Sequence, residues 1–106
     1  MPMEKMEANA SRACDLLKSM ANRSRLMILC QLAEKEMSVS ELLERIPTSQ
    51  SALSQHLGTL RREKVVKTRR DAQFIRYSLA SGEARQVIRA LYDIYCGPDS
   101  EDPCDP

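Results

Sequence analysis

Four cysteines, one histidine and a run of arginines hold most of the chemistry available to this 106-residue chain. The thiols are Cys14, Cys30, Cys96 and Cys104, and the imidazole is His56. A single histidine excludes a multi-His metal site within one chain. Residues 1–10 hold no continuous apolar stretch, and the longest apolar run, 26–30, falls far short of the ~20 residues a bilayer span needs. The expectation is a soluble, cytoplasmic protein with reduced thiols. The cysteines then read as core filler, metal ligands or redox-active groups rather than a disulfide framework. Cys30 closes an apolar helical run and by itself reads as a small buried hydrophobe. Cys96 is less bland, because it ends a helix against Gly97-Pro98. No oxyanion or cofactor motif accompanies these thiols, and Gly58, Gly82 and Gly97 stand too far apart to cradle a phosphate. No catalytic residue, cofactor or metal ligand is therefore assigned, and an enzyme is not expected.

The net charge of +1 argues against a nucleic-acid binder only until it is divided along the chain. Residues 1–60 balance at zero, and so do 77–96. Residues 61–76 carry seven basic side chains (Arg61, Arg62, Lys64, Lys67, Arg69, Arg70 and Arg76) against Glu63 and Asp71, for +5. Residues 97–106 carry four acids and no base. A basic segment is thus masked by an acidic tail. The tail lacks the apolar residues needed to fold and is expected to be disordered, which leaves one domain over residues 1–96.

The elements that must position these groups follow from periodicity and caps. Met6, Ala10, Ala13, Leu17 and Met20 recur at helical spacing over 4–20. Asn22 caps a second helix over 23–33. Ser38 or Ser40 caps a short third helix through Ile46, with Ser38-x-x-Glu41 as a capping box, and Pro47 ends it. Thr48 or Ser49 caps a fourth helix to about residue 63, with Leu53, Leu57 and Leu60 as its apolar stripe. Alternation over 65–70 and 73–79 predicts two strands of a hairpin turning at Asp71-Ala72. A last helix runs from Ser81 or Gly82 to Cys96. The order is mainly α with a small β-hairpin, a winged helix-turn-helix.

A helix that reads DNA needs polar groups on one face and an apolar stripe on the other. Gln50, Ser51, Ser54, Gln55 and the nearby His56 meet the first need, because Gln and Ser suit base edges. Thr48 and Ser49 stand at the helix N-terminus, which favours a phosphate. Arg61, Arg62, Arg69, Arg70 and Arg76 would release counterions, and Arg70 and Gln73 flank the wing tip and could enter a minor groove. Any one of these residues could merely solvate a surface. Together with the capped helix pair and basic hairpin they predict binding to double-stranded DNA.

Three segments, 17–29, 49–57 and 67–79, resemble the ArsR/SmtB family of bacterial repressors, over roughly residues 14–96. The resemblance implies a homodimer built on the first and last helices, binding an imperfect inverted repeat and leaving it when an inducer arrives. Two usual metal sites of that family are absent. Ser38-Val39-Ser40 replaces a Cys-x-Cys pair, and 82–96 holds no histidine and only Glu83 and Asp93 as carboxylates. The positions of Cys30 and Cys96 resemble the dithiol of the BigR/SqrR branch, which senses persulfides and polysulfides. That resemblance implies that Cys30 and Cys96 are the sensing pair for reactive sulfur species, with Cys14 and Cys104 outside it. The alternative is the same fold sensing general oxidants or a thiophilic metal or metalloid through the same thiols.

Overall fold

A computed structural model describes residues 2–97 of the chain. The acidic tail expected at 97–106 lies, beyond Gly97, outside the described residues. Five helices and three short strands follow in the order α1 (Met3–Met20), α2 (Arg23–Glu34), β1 (Met37–Ser38), α3 (Val39–Arg45), α4 (Gln50–Arg62), β2 (Val66–Asp71), β3 (Phe74–Leu79) and α5 (Gly82–Cys96). This is the winged helix-turn-helix expected from the sequence.

Local chemistry sets most of the helix boundaries. The Asn22 side chain accepts from the Arg25 amide and opens α2. Ser38 and Glu41 close their capping box, with each side chain accepting from the other's backbone amide. Ser49, rather than Thr48, caps α4 by accepting from the Ala52 amide. Ser81 does the same for α5 through the Ala84 amide. Each such cap satisfies an amide that the helix itself leaves unpaired, for about 1 kcal/mol. At the other end of α5, Gly97 packs so closely on the Asp93 carbonyl that a Cβ would collide with it.

The sheet differs from a plain hairpin. Its order is β1-β3-β2, all antiparallel. Met37 pairs with Tyr77 and Ser38 with Arg76. A two-residue strand has no periodicity to read, so nothing in the sequence announces β1. The hairpin turn is Ala72-Gln73 rather than Asp71-Ala72, because Asp71 still pairs with Phe74. Ala72 takes the left-handed conformation at φ 57° without a glycine.

The core gathers one stripe from each element. Ile28, Leu29 and Leu32 of α2 meet Leu42 of α3, Leu53, Leu57 and Leu60 of α4, Met37, Val66 and Leu79 of the sheet, and Ile88 of α5. The apolar stripe expected on α1 is buried only at its end. Met20 is in the core, while Met3, Met6 and Leu17 are exposed. Tyr92, Ile94 and Tyr95 near the end of α5 are exposed as well. No helix among the described residues is long and apolar enough to cross a membrane.

Candidate nucleic-acid interface and thiol cleft

The helix-turn-helix presents α4 as the sequence requires. Leu53, Leu57 and Leu60 are fully buried, which fixes the helix on its scaffold. Gln50, Ser51, Ser54 and Gln55 are all exposed, and His56 is half-buried. Ser49 is spent on the cap, and its hydroxyl lies 3.4 Å from that of Ser51. Arg61 and Arg62 are exposed at the end of α4, where Arg62 donates to the Thr59 hydroxyl at 3.2 Å.

The wing is less uniformly cationic than its sequence. Arg69 is held by Glu36 through a salt bridge and hydrogen bonds from both Nε and Nη2. Arg76 donates to Asp71 at 2.8 Å and to Glu41 at 2.9 Å. Two of the five arginines expected to face phosphates are thus engaged by carboxylates. The hydrogen bond from Arg69 holds the Glu36 carboxyl below its ordinary pKa. For Glu41 the Ser38 amide is the first cause and Arg76 adds to it. Glu36 and Glu41 lie 33 and 35 positions from their arginines, so no local pattern signals these pairs. Glu36 and Glu41, both outside 61–76, reduce the effective +5 of that segment to +3. Lys67, Arg61 and Arg70 form no ion pair among the described residues.

A contrast between two arginines follows. Arg70→Gln should lower the salt slope of DNA binding by about one, the signature of one lost phosphate contact. Arg76→Gln should leave that slope unchanged while lowering thermal stability, because its partners are within the protein. Binding isotherms over a salt series, with melting curves, check both.

The second locus is a cleft of about 880 Å³ between α2 and α5. Its walls include Cys30 and Gln31 from α2 and Arg89, Tyr92 and Cys96 from α5. Two cysteines 66 positions apart thus share one cleft. Arg85 of α5 ties the helices together by donating to the Ala33 carbonyl at 2.8 Å. Cys30 is half-buried and carries a free thiol, as does the exposed Cys14, whereas Cys96 is disulfide-bonded. Cys30 and Cys96 are therefore not bonded to each other here.

Burial, and after it the nearby Glu34 carboxylate, pushes the Cys30 thiol above its ordinary pKa of 9.0. Both causes disfavour the thiolate, so Cys30 is a poor nucleophile at neutral pH. Alkylation of the reduced protein should therefore label Cys14 before Cys30 at pH 7. The Cys30 rate should keep climbing as pH rises past 9, the range in which an ordinary thiol levels off. A mass-spectrometric time course at several pH values gives both rates.

The chain matches the model of the family described as "Bacterial regulatory protein, arsR family" over residues 22–68. It is 50% identical over 96 residues to the transcriptional activator HlyU of Vibrio cholerae serotype O1, covering 91% of this chain and 89% of that protein. It is 45% identical to the biofilm growth-associated repressor of Agrobacterium fabrum, covering 92% and 84%. The crystal structure of the transcriptional repressor BigR from Xylella fastidiosa superimposes with a TM-score of 0.86 at 44% identity, covering 91% of this chain and 98% of that one. These relatives are regulators of transcription rather than enzymes. The capped helix pair, the exposed polar face of α4 and this breadth of similarity agree: the chain belongs to the arsR family of bacterial regulatory proteins.

Proposed function

We propose that this regulator is a homodimeric repressor of an inverted-repeat operator, which it releases when reactive sulfur species modify Cys30 and Cys96. The observation that carries the sensing half is that both cysteines line one cleft. Support for the dimer comes from the exposed apolar side chains of α1 and α5, the two helices whose stripes the monomer leaves uncovered. A two-fold axis then matches two half-sites.

In this reading Gln50, Ser51, Ser54 and Gln55 meet base edges, with His56 beside them. Thr48 and Ser49 stand at the helix N-terminus near a phosphate. Arg61, Arg62 and Arg70 meet the backbone, and Gln73 flanks the wing tip. Arg69 and Arg76 hold the wing in place.

The chemistry starts from the reduced protein. The Cys96 thiolate attacks a sulfur of an inorganic polysulfide, which expels the shorter polysulfide anion and leaves Cys96 carrying one or more extra sulfurs. Cys30, whose thiolate is disfavoured by burial and by Glu34, acts second. Its thiolate attacks Sγ of a Cys96 persulfide and expels hydrosulfide, giving a disulfide. On a Cys96 hydrotrisulfide it attacks the middle sulfur, again expelling hydrosulfide, and one sulfur stays in the bridge. In both routes the polysulfide is the oxidant, and its sulfur leaves reduced. Either bridge ties α2 to α5 and so alters how the two copies of α4 are presented. A switch of this kind needs a coupling of about 1–3 kcal/mol between sulfur and DNA.

Intact mass after reacting the reduced protein with sodium tetrasulfide, and separately with hydrogen peroxide, tests the inducer. A Cys30–Cys96 bridge, with or without added sulfur, that forms with tetrasulfide and not with peroxide supports the reading. Equal bridging by peroxide with no added sulfur refutes it and favours a general-oxidant sensor.

A further inference from the structure

The wing carries an apolar residue where its packing does not require one. Phe74 and Ile75 are 46% and 39% exposed at the tip of the hairpin. Ile75 lies opposite Arg70 and shares its face of β3 with Tyr77 and the buried Leu79. It is the outermost member of the row that packs into the core, and its exposure is where that row runs out. Phe74 is on the opposite face. It pairs with Asp71 and shares its face with Arg69 and Arg76, among charges rather than core residues.

The ring also has a charged neighbour. The Arg76 guanidinium lies 6.0 Å from its centroid. Arg76 in turn bonds Asp71 across the hairpin and Glu41 on α3. Glu41 is fixed by the Ser38 cap. The turn between the strands contains no glycine. A chain of contacts thus runs from the start of the helix-turn-helix to the tip of the wing and presents one exposed aromatic ring.

Charge selects what that ring meets. With Arg69 and Arg76 engaged by Glu36, Asp71 and Glu41, the strands beside it keep Lys67 and Arg70 as free cations among the described residues, and their one acid, Asp71, is itself paired. A polyanion fits such a ribbon, and an apolar protein surface does not. Self-association has other apolar surfaces, on α1 and α5.

We infer that Phe74 is an apolar wedge that enters the DNA minor groove beside each half-site, with Gln73 next to it at the turn and Arg70 on the other face of the hairpin. The inference rests on the operator-binding reading above. Wedges of this kind enter flexible steps and bend the duplex. A pyrimidine–purine step in an A·T-rich flank is the sequence it suits. Phe74 therefore adds preference at base pairs that α4 does not reach.

The test uses reduced full-length protein and a duplex enriched by the wild type from a randomised library, labelled at both ends. Phe74→Ala should bind it about tenfold more weakly, while its salt slope and melting temperature stay at wild-type values. Energy transfer between the ends should report a smaller bend. Phe74→Leu should recover most of the affinity. Wild-type affinity and bend in Phe74→Ala would overturn the wedge and leave operator binding standing. A slope lowered by about one would overturn it in favour of an electrostatic disturbance. If the wild type enriches no duplex at all, the operator reading fails and the wedge fails with it.

Discussion

Cys30→Ser and Cys96→Ser variants should each bind operator DNA as tightly as the reduced wild type, and neither should let go when polysulfide is added. The reason is spatial. Neither thiol is on α4 or the wing, so losing either one leaves the DNA-facing groups untouched. Both line the α2–α5 cleft, and a bridge across it needs two sulfur-bearing ends. The variants should differ chemically. Cys30→Ser retains Cys96 and should take up sulfur there without tying α2 to α5. Of the pair, Cys96→Ser retains only the half-buried Cys30, whose raised pKa slows the first attack. A wild type that loses at least tenfold in affinity, beside variants that lose none, corresponds to a coupling above about 1.4 kcal/mol. Anisotropy titrations with and without tetrasulfide measure it. Full release by either variant would remove that cysteine from the sensing pair.

Leu57→Ala should be strongly destabilising. Leu57 is fully buried in the middle of α4, between Leu53 and Leu60 on the same face. Truncating such a leucine removes transfer free energy and leaves a cavity, for about 2–5 kcal/mol. A domain of this size has only about 5–15 kcal/mol in total. The melting temperature should fall by about 10 °C or more. DNA binding should weaken as well, because the same stripe that fills the core orients Gln50, Ser54 and Gln55. Gln55→Ala, on the exposed face, should weaken binding with the melting temperature unchanged. Melting curves set beside binding isotherms separate the two effects. Equal stability of Leu57→Ala and wild type would contradict this packing of α4.

The features legible in the sequence are those written locally. Asn22, Ser38 with Glu41, Ser49 and Ser81 announce helix starts within four residues of themselves. The Leu53, Leu57 and Leu60 stripe gives both the orientation of α4 and the identity of its free face. What escaped depends on contacts between distant segments. Strand β1 exists only because Met37 and Ser38 lie beside Tyr77 and Arg76. The pairs Glu36–Arg69 and Glu41–Arg76 likewise join segments more than thirty residues apart. They turn two arginines that count as surface charge in the sequence into braces for the wing. Periodicity on α1 correctly marked an apolar stripe but not what covers it, because a repeat of 3.6 residues says nothing about the partner. Phe74 reads as one more strand residue until the register sets it on the face away from the core. Cys30 and Cys96 could be paired in advance only through family resemblance. Their shared cleft comes from the packing of α2 on α5.

The most direct measurement follows one sample of reduced wild-type protein, bound to its selected duplex, through a tetrasulfide titration. DNA release by anisotropy and bridge formation by intact mass are read at each point. Release that tracks a Cys30–Cys96 bridge point by point, and that dithiothreitol reverses, is the predicted result. Bridge formation with the DNA still bound, or release with both thiols unmodified, would contradict sulfur sensing through this pair.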